Sequence, residues 1–461
     1  MTNPKTVKLD TSSFRDPSGF LFYKNDSIYR QINKFYKDDY QHLITSGLYS
    51  RLVESRLLIA HKEASIKGPV PDKAYKVIEP DRIPFISYPY EWCFSQLKDA
   101  ALATFKIEKI AMDYGMTLKD SSAYNIQFKN GKPVLIDTLS FKKYVKGETW
   151  IAYRQACQHF IAPLALMAFR DIRLNQLFRI YLDGIPLDLA SALLPSSTSF
   201  KASLLSHIHL HSKSQKHFAD RKLNVGSHKI SRLSFLALID SLESTVKKMK
   251  WHPKGTEWAD YYQDTNYSSQ AFEDKKEIIK NLLQKTRSDI LWDLGANDGF
   301  FSRIASSEGI YTVSFDIDPA AVEKNYLRSI NNDETNILPL LLDLTNPSPP
   351  IGWENKERIS IQERGPADTV FALALIHHLA ISNNLPIGKI AEFFSSICRY
   401  LIIEFVPKDD SQIQRMLFTR EDIFPDYARE YFEKKFKEYF TIKQIEKIKG
   451  SKRVLYLMQK R

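Results

Sequence analysis

Residues 291–305 read LWDLGANDGFFSRIA. An apolar run reaches Asp293, a turn follows on Gly295, Asn297 and Gly299, and apolar residues then recur at helical spacing. The stretch predicts a strand, a tight loop and a helix in succession. Glycine lets the backbone turn without a Cβ and come close to a ligand. The helix start behind the loop offers free N–H groups to a carboxylate or phosphate. The spacing is GxNxG, which departs from the GxGxxG of dinucleotide-binding loops.

The same alternation continues along the chain. Strand candidates are 289–296 (DILWDLGA), 311–318 (YTVSFDID), 336–344 (NILPLLLDL), 368–376 (DTVFALALI) and 400–406 (YLIIEFV), with helix-like stretches at 319–330 and 386–397. Near-continuous apolar strands separated by helices predict a parallel sheet covered on both faces. The stretch 440–461 adds two strands around Lys449-Gly450-Ser451, an antiparallel hairpin. The expected fold of 256–461 is therefore α/β, a doubly wound Rossmann-like sheet with a terminal antiparallel hairpin. In such a sheet a nucleotide-like ligand sits at the carboxyl ends of the strands. Asp316, 23 residues after Asp293, ends the second strand, where an acid can accept both hydrogen bonds of a ribose diol. Asp343 and Leu344, ending the third, offer a carboxylate to an adenine amino group and an apolar flank to its ring.

These residues resemble the class I S-adenosylmethionine-dependent methyltransferases over 256–461. The family's glycine loop matches Asp293 to Gly299, its ribose acid Asp316, its adenine-side acid Asp343, and its fourth-strand motif Asp368 to His378. The resemblance implies S-adenosyl-L-methionine as cofactor. The residues it implicates are Asp293, Gly295, Ala296, Asn297, Gly299, Asp316, Ile317, Asp343, Leu344 and Ala372.

A sulfonium is already activated, so the protein's work is to align the nucleophile and take up a proton where one is lost. Amino-group methyltransferases acting on bases often carry an Asn-Pro-Pro-Tyr type sequence after the fourth strand. This chain has ALALIHHLAI (372–381), which points away from adenine or glutamine N-methylation. His377 and His378 are candidates for a general base on a hydroxyl, since histidine titrates near neutrality. Their plainer role is to cap the loop or pack under it. Glu404, at the end of the fifth strand, is a candidate for orienting substrate, or a strand-end carboxylate in a structural hydrogen bond. The segment 258–279 carries Trp258, Tyr261, Tyr262 and Tyr267 before a helix-like tail. It reads as a lid with Tyr267 or Lys275 reaching the cofactor, or as aromatics packed on the sheet.

Upstream, MTLKDSSAYNIQFKNGKPVLIDTLSF (116–141) holds Asp120, Asn125 five residues on, and Asp137 ending an apolar strand. This spacing resembles the catalytic and metal loops of the protein-kinase-like fold, in which the first Asp positions a hydroxyl and the Asn and second Asp hold magnesium. Residues 95–115 read as the preceding helix, 82–90 as a strand into a hinge, and 18–32 as a hairpin with Arg30 at the family's lysine position. The departures are Leu118-Lys119 before the first Asp, Thr-Leu after Asp137, and Pro17-Ser18-Gly19 in place of a glycine-rich loop. Residues 1–195 are thus expected to form an α+β, kinase-like domain for substrate recognition or scaffolding, and 196–255 a helical connector.

Across nearly the whole chain, the runs SYPYEWCFSQLKDAAL, LIDTLSF, IPLDLAS and SHIHLHSKSQKHFAD resemble bacterial methyltransferases related to the nodulation-specificity methyltransferase. His207, His209 and His211 would share a face on a strand, and only His207 and His211 on a helix. No further ligand accompanies them, so no metal site is expected.

Composition agrees with a soluble globular protein: 43% hydrophobic and 26% charged residues. Cys93, Cys157 and Cys398 form no CxxC pair, which excludes a disulfide framework and a cysteine zinc site. The longest apolar run, 160–169, is half of the roughly twenty residues a membrane span needs. No apolar stretch backs the N-terminal lysines as in a signal peptide, so the expected location is the cytoplasm. The net charge of +11 comes from interspersed residues, 65 basic and 54 acidic, without an RNA-binding signature. The expected acceptor is a small molecule, a sugar or a lipid-linked group rather than nucleic acid. The alternative is a bifunctional or pseudokinase-containing protein whose first domain binds ATP, the methyltransferase fold serving as a cofactor-binding module.

Overall fold

The computed structural model describes residues 7–25, 27–211, 230–253, 269–418 and 421–461. The chain divides into two compact units. One runs to His252 and takes in Pro350–Arg358; the other spans Pro253–Pro349 and Ile359–Arg461.

The first unit is α+β. Its strands β1 (Lys8–Leu9), β2 (Gly19–Lys24), β3 (Ser27–Asn33), β4 (His61–Glu63) and β5 (Ala74–Pro80) form an antiparallel sheet in the order β1-β2-β3-β5-β4. The hairpin expected over 18–32 is β2 and β3, with Lys24 opposite Ser27 and Asn25 at φ +52° in the turn. The strand expected over 82–90 is not there. β5 ends at Pro80, and 89–91 form a single 3-10 turn. Pro84 and Pro89 have no N–H to give a ladder, so pairing stops before them.

The helix Phe94–Asp113 follows. Cys93 N–H donates to the Gln96 side chain at its start (2.9 Å). Leu97, Ala100, Ala101, Thr104, Glu108 and Ala111 recur on its buried face. Beyond it, β6 (Met116–Leu118), β7 (Ile126–Lys129), β8 (Lys132–Leu135) and β9 (Phe141–Lys143) make two small ladders, β6 with β9 and β7 with β8. The helix Arg232–Lys248 packs along Phe94–Asp113, where Lys109 pairs with Asp240 and Glu243.

The second unit is a seven-stranded sheet of β10 (Ile290–Leu294), β11 (Tyr311–Asp316), β12 (Ile337–Leu341), β13 (Ala367–Ala372), β14 (Cys398–Phe405), β15 (Phe440–Lys447) and β16 (Val454–Lys460). The order is β12-β11-β10-β13-β14-β16-β15, with β10 to β14 parallel and β16 antiparallel to both neighbours. These are the five apolar runs and the closing hairpin of the sequence. Helices Phe300–Ser307, Pro319–Asn331 and Ile387–Ile397 lie in the crossovers. Asp318 caps the second of them through Ala320 N–H (2.8 Å), with Pro319 as its first residue. One face of the sheet buries Leu291, Phe371, Ile402 and Leu457 with Ile279, Leu282 and Phe301. The order runs one way from β10 to β11 and the other way to β13, which opens a crevice at the carboxyl ends of these strands. Among the described residues no helix is long and apolar enough to cross a membrane.

Candidate active site

β10 delivers Asp293 to the carboxyl edge of the sheet. The chain then turns through three left-handed residues, Gly295 (φ +74°), Asn297 (φ +52°) and Gly299 (φ +78°). Gly295 and Ala296 N–H both donate to Phe315 O (2.9 Å each), and Asn297 N–H donates to Asp316 Oδ2 (2.8 Å). The loop is thereby laced to the end of β11. A Cβ at Gly299 would lie 2.5 Å from the Asn325 side chain and 2.7 Å from Arg303 Nη1. Sequence reasoning missed Arg303. Its guanidinium donates to Asp298 O (2.7 Å), Asn325 Oδ1 (2.9 Å) and both oxygens of Glu334 (2.9 Å each), tying the loop to the next helix.

Asp316, the last residue of β11, accepts from Asn297 N–H on one oxygen and from Asp318 N–H (2.9 Å) on the other. Burial pushes its pKa up to about 6, against the pull of those backbone groups. Asp293 accepts from Ser302 Oγ (2.6 Å) and is pushed up to about 7, by burial first and with Asp316 adding to the rise. Two carboxylates held near neutrality at one strand edge stand to gain from a ligand that brings positive charge and hydroxyl donors.

The other cofactor candidates gather at the same edge. Ile317 is exposed beside Asp316. Leu342 N–H donates to Asp316 O (2.9 Å), holding the ends of β11 and β12 together. Asp343 lies two residues past the end of β12, not on it, and its Oδ1 accepts from Thr345 N–H (2.8 Å) and Oγ1 (2.6 Å). Leu344 is half-buried beside it. Ala372 is buried at the end of β13, one residue after Phe371, which pairs with Asp293.

Past Ala372 the chain bends at Ala374 (φ +49°) and enters a π-helical turn, His378–Ser382. Such turns are rare and cluster at functional sites. His377 is 2% exposed and lies against the His378 ring, centroids 4.1 Å apart. Among the described residues its Nδ1 has no hydrogen-bond partner. Burial drives the His377 pKa well below the usual value, with His378, Arg453 and Lys275 adding to the fall. Burial, then Arg453, brings His378 down to about 4. Both shifts favour the uncharged rings.

Glu404 is fully buried on β14. Lys275 Nζ donates to its Oε2 (2.6 Å), and Arg453 Nη1 lies 3.7 Å from its Oε1. Arg453 also donates to both oxygens of Asp410 (2.8 and 3.1 Å). Lys275 is thus the partner of Glu404. Nothing in the sequence marks Arg453 or Asp410, because the members of this set lie far apart along the chain. Trp258, Tyr261, Tyr262 and Tyr267 lie outside the described residues.

In the first unit, Arg30 Nη1 sits 2.5 Å from Asp137 Oδ1. Asp137 also accepts from Leu139 N–H (3.0 Å) and Ser140 Oγ (2.6 Å). Asp120 accepts from Ser122 N–H (3.0 Å) and Gln155 Nε2 (2.8 Å). Burial raises the Asp120 pKa, Asp137 adds to the rise, and hydrogen bonds including one from Asn125 oppose it. The structure therefore brings Arg30, Asp120, Asn125 and Asp137 together as the spacing implied, with each carboxylate already met by protein donors.

The histidine triplet begins in a π-helical run, Leu205–Leu210. His207 shares hydrogen bonds with Tyr153 (2.9 Å) and Ser241 (3.0 Å), and His209 with Ser191 (2.8 Å) and Thr198 (3.0 Å). Among the described residues no group of three or more His, Cys, Asp or Glu is arranged to hold a metal ion.

No known family model matches the sequence. Nodulation protein NoeA of Rhizobium meliloti (strain 1021) is 34% identical over 456 residues, covering 97% of this chain and 95% of its own. Among solved structures, the N-methyltransferase NodS from Bradyrhizobium japonicum WM9 aligns with 42% of this chain and 98% of its own, at 10% identity and a TM-score of 0.30. The bifunctional kinase-methyltransferase WbdD aligns with 43% of this chain and 41% of its own, at 15% identity and a TM-score of 0.29.

Proposed function

The chain belongs to the family of the nodulation protein NoeA, and from that premise we propose that its second unit is a class I S-adenosylmethionine-dependent methyltransferase acting on a hydroxyl of a small-molecule, sugar or lipid-linked acceptor. The observation that carries the reading is the doubly wound strand order with Asp293 and Asp316 at the carboxyl ends of β10 and β11. The residues fit the cofactor. At Gly295 (φ +74°) a Cβ would come within 3.2 Å of Leu375, so glycine is what lets the loop turn against the segment that follows β13. The two raised carboxylates suit a ligand with a positive charge and a diol.

Bound there, S-adenosylmethionine supplies a methyl group already activated on a sulfonium. Asp316 would accept from its ribose hydroxyls, and the Gly295–Gly299 loop with Asp293 would hold its amino-acid end. Asp343, Leu344, Ile317 and Ala372 would line the adenine side. The chain's remaining work is alignment and proton uptake. His377, whose Nδ1 has no hydrogen-bond partner among the described residues, is the group that takes the acceptor's hydroxyl proton, with the His378 ring tilted against it. Glu404 is a positioning residue that holds Lys275 and Arg453 beside the histidines and takes no proton itself.

The test is calorimetric titration of S-adenosylhomocysteine into the full chain and two variants, with turnover measured alongside. Asp316→Ala should lose affinity, whereas His377→Ala should keep affinity and lose turnover. Equal loss of affinity in both would overturn the division of roles, and no binding to the wild type would overturn the reading. The alternative, an ATP-binding first unit, gains no support from Asp137 lying against Arg30.

A further inference from the structure

The first unit contains a cleft of about 830 Å³, within the range of small-ligand sites. All of its lining residues belong to that unit, including Gly352, Trp353 and Glu357 of the returning segment. We propose that this cleft binds a neutral carbohydrate. The proposal stands apart from methyl transfer and needs no part of the second unit.

Three large apolar side chains stand exposed at the cleft: Trp353 (64%), Ile151 (64%) and Ile180 (72%). Isolated exposed apolar residues are ordinary, but three around one cleft mark a contact surface. The polar lining is equally specific. The side chains of Gln158, Tyr181 and Asp183 make no hydrogen bond to the described protein. An amide, a phenol and a carboxylate together can satisfy vicinal hydroxyls, while an indole covers the C–H face of a sugar ring.

Charge narrows the ligand. Arg15 and Arg154 are balanced by Asp183 and Glu357 in the same lining. Arg15 is moreover committed to Glu357 through two hydrogen bonds, Nε to Oε1 and Nη2 to Oε2 (3.1 Å). A phosphate or carboxylate ligand would find no net positive charge there, whereas a neutral polyol needs none.

The indole is also held out at a cost. Glu354, next to it, is left-handed (φ +54°), a conformation costly for a residue with a side chain, and buried Glu357 accepts from Trp353 N–H (2.8 Å). Strained backbone of this kind persists where its surroundings enforce it, and it clusters at binding sites. Displaying Trp353 to a ligand accounts for it.

The experiment is calorimetric titration of cellobiose, maltose and lactose into the full chain, with inorganic phosphate and AMP as counter-probes. At least one sugar should bind saturably. Trp353→Ala and Gln158→Ala should each weaken that sugar, Trp353→Ala by about tenfold or more. Affinity for S-adenosylhomocysteine should stay unchanged in both variants, which separates this site from the methyltransferase reading. Failure of all three sugars, wild-type sugar affinity in both variants, or binding of phosphate or AMP in preference to the sugars would overturn the proposal.

Discussion

Each unit gathers acidic residues where a motif places them, and burial raises a carboxylate in both, yet in the first unit one of them, Asp137, is met by a guanidinium. Asp137 in the first unit lies against Arg30 and accepts from Leu139 and Ser140, and Asp120 is held by Ser122 and Gln155. Asp293 and Asp316 in the second unit receive hydroxyl and backbone donors, with burial lifting both toward neutrality. Spacing tells where carboxylates will meet. The donors that surround them decide whether a site is closed on itself or open to a ligand.

That contrast can be broken in several places. The largest effect is expected at Glu404→Ala, which strands Lys275 in the core and should cost about 3–5 kcal/mol in urea unfolding of the second unit. A cost within experimental error would mean that water reaches the pair. Next is Asp316→Ala, expected to weaken S-adenosylhomocysteine about a hundredfold, as losing charge-assisted hydrogen bonds does. Asp137→Ala should leave that affinity untouched, and a matching loss there would erase the distinction between the two sets. Arg30→Met should lower the stability of the first unit by roughly 1–3 kcal/mol, the cost of a buried carboxylate without its partner. A variant as stable as the wild type would show that Asp137 is not closed by Arg30.

The smallest effect concerns pH. Asp316 has its pKa raised to about 6, and only its ionised form accepts both ribose hydroxyls. Cofactor affinity should therefore fall as pH drops through that value, by about tenfold between roughly pH 7 and pH 5. A flat profile would place the ribose elsewhere.

The strands of the second unit were legible because parallel strands buried on both faces are apolar runs, and Gly295, Asn297 and Gly299 mark the loop locally. The hairpin of β2 and β3 was legible through its turn. What escaped depends on partners remote in sequence. Arg303 meets Glu334, and Arg453 meets Glu404 and Asp410, with no periodicity to announce either. Asp120, Asn125 and Asp137 were visible, but the remote donors that meet them, Gln155 at Asp120 and Arg30 at Asp137, were not. The strand expected over 82–90 followed from the kinase-like layout, and Pro84 and Pro89 inside it, which have no N–H for a ladder, argued against it.

The chain leaves the second unit at Pro350 and rejoins it at Ile359. No single cut point therefore separates the two units. A crossover near Pro253 would bring in a foreign connection between β12 and β13, and with it the partner of Arg15. The similarity to NoeA, over 97% of one chain and 95% of the other, takes in both units and the segment that returns to the first.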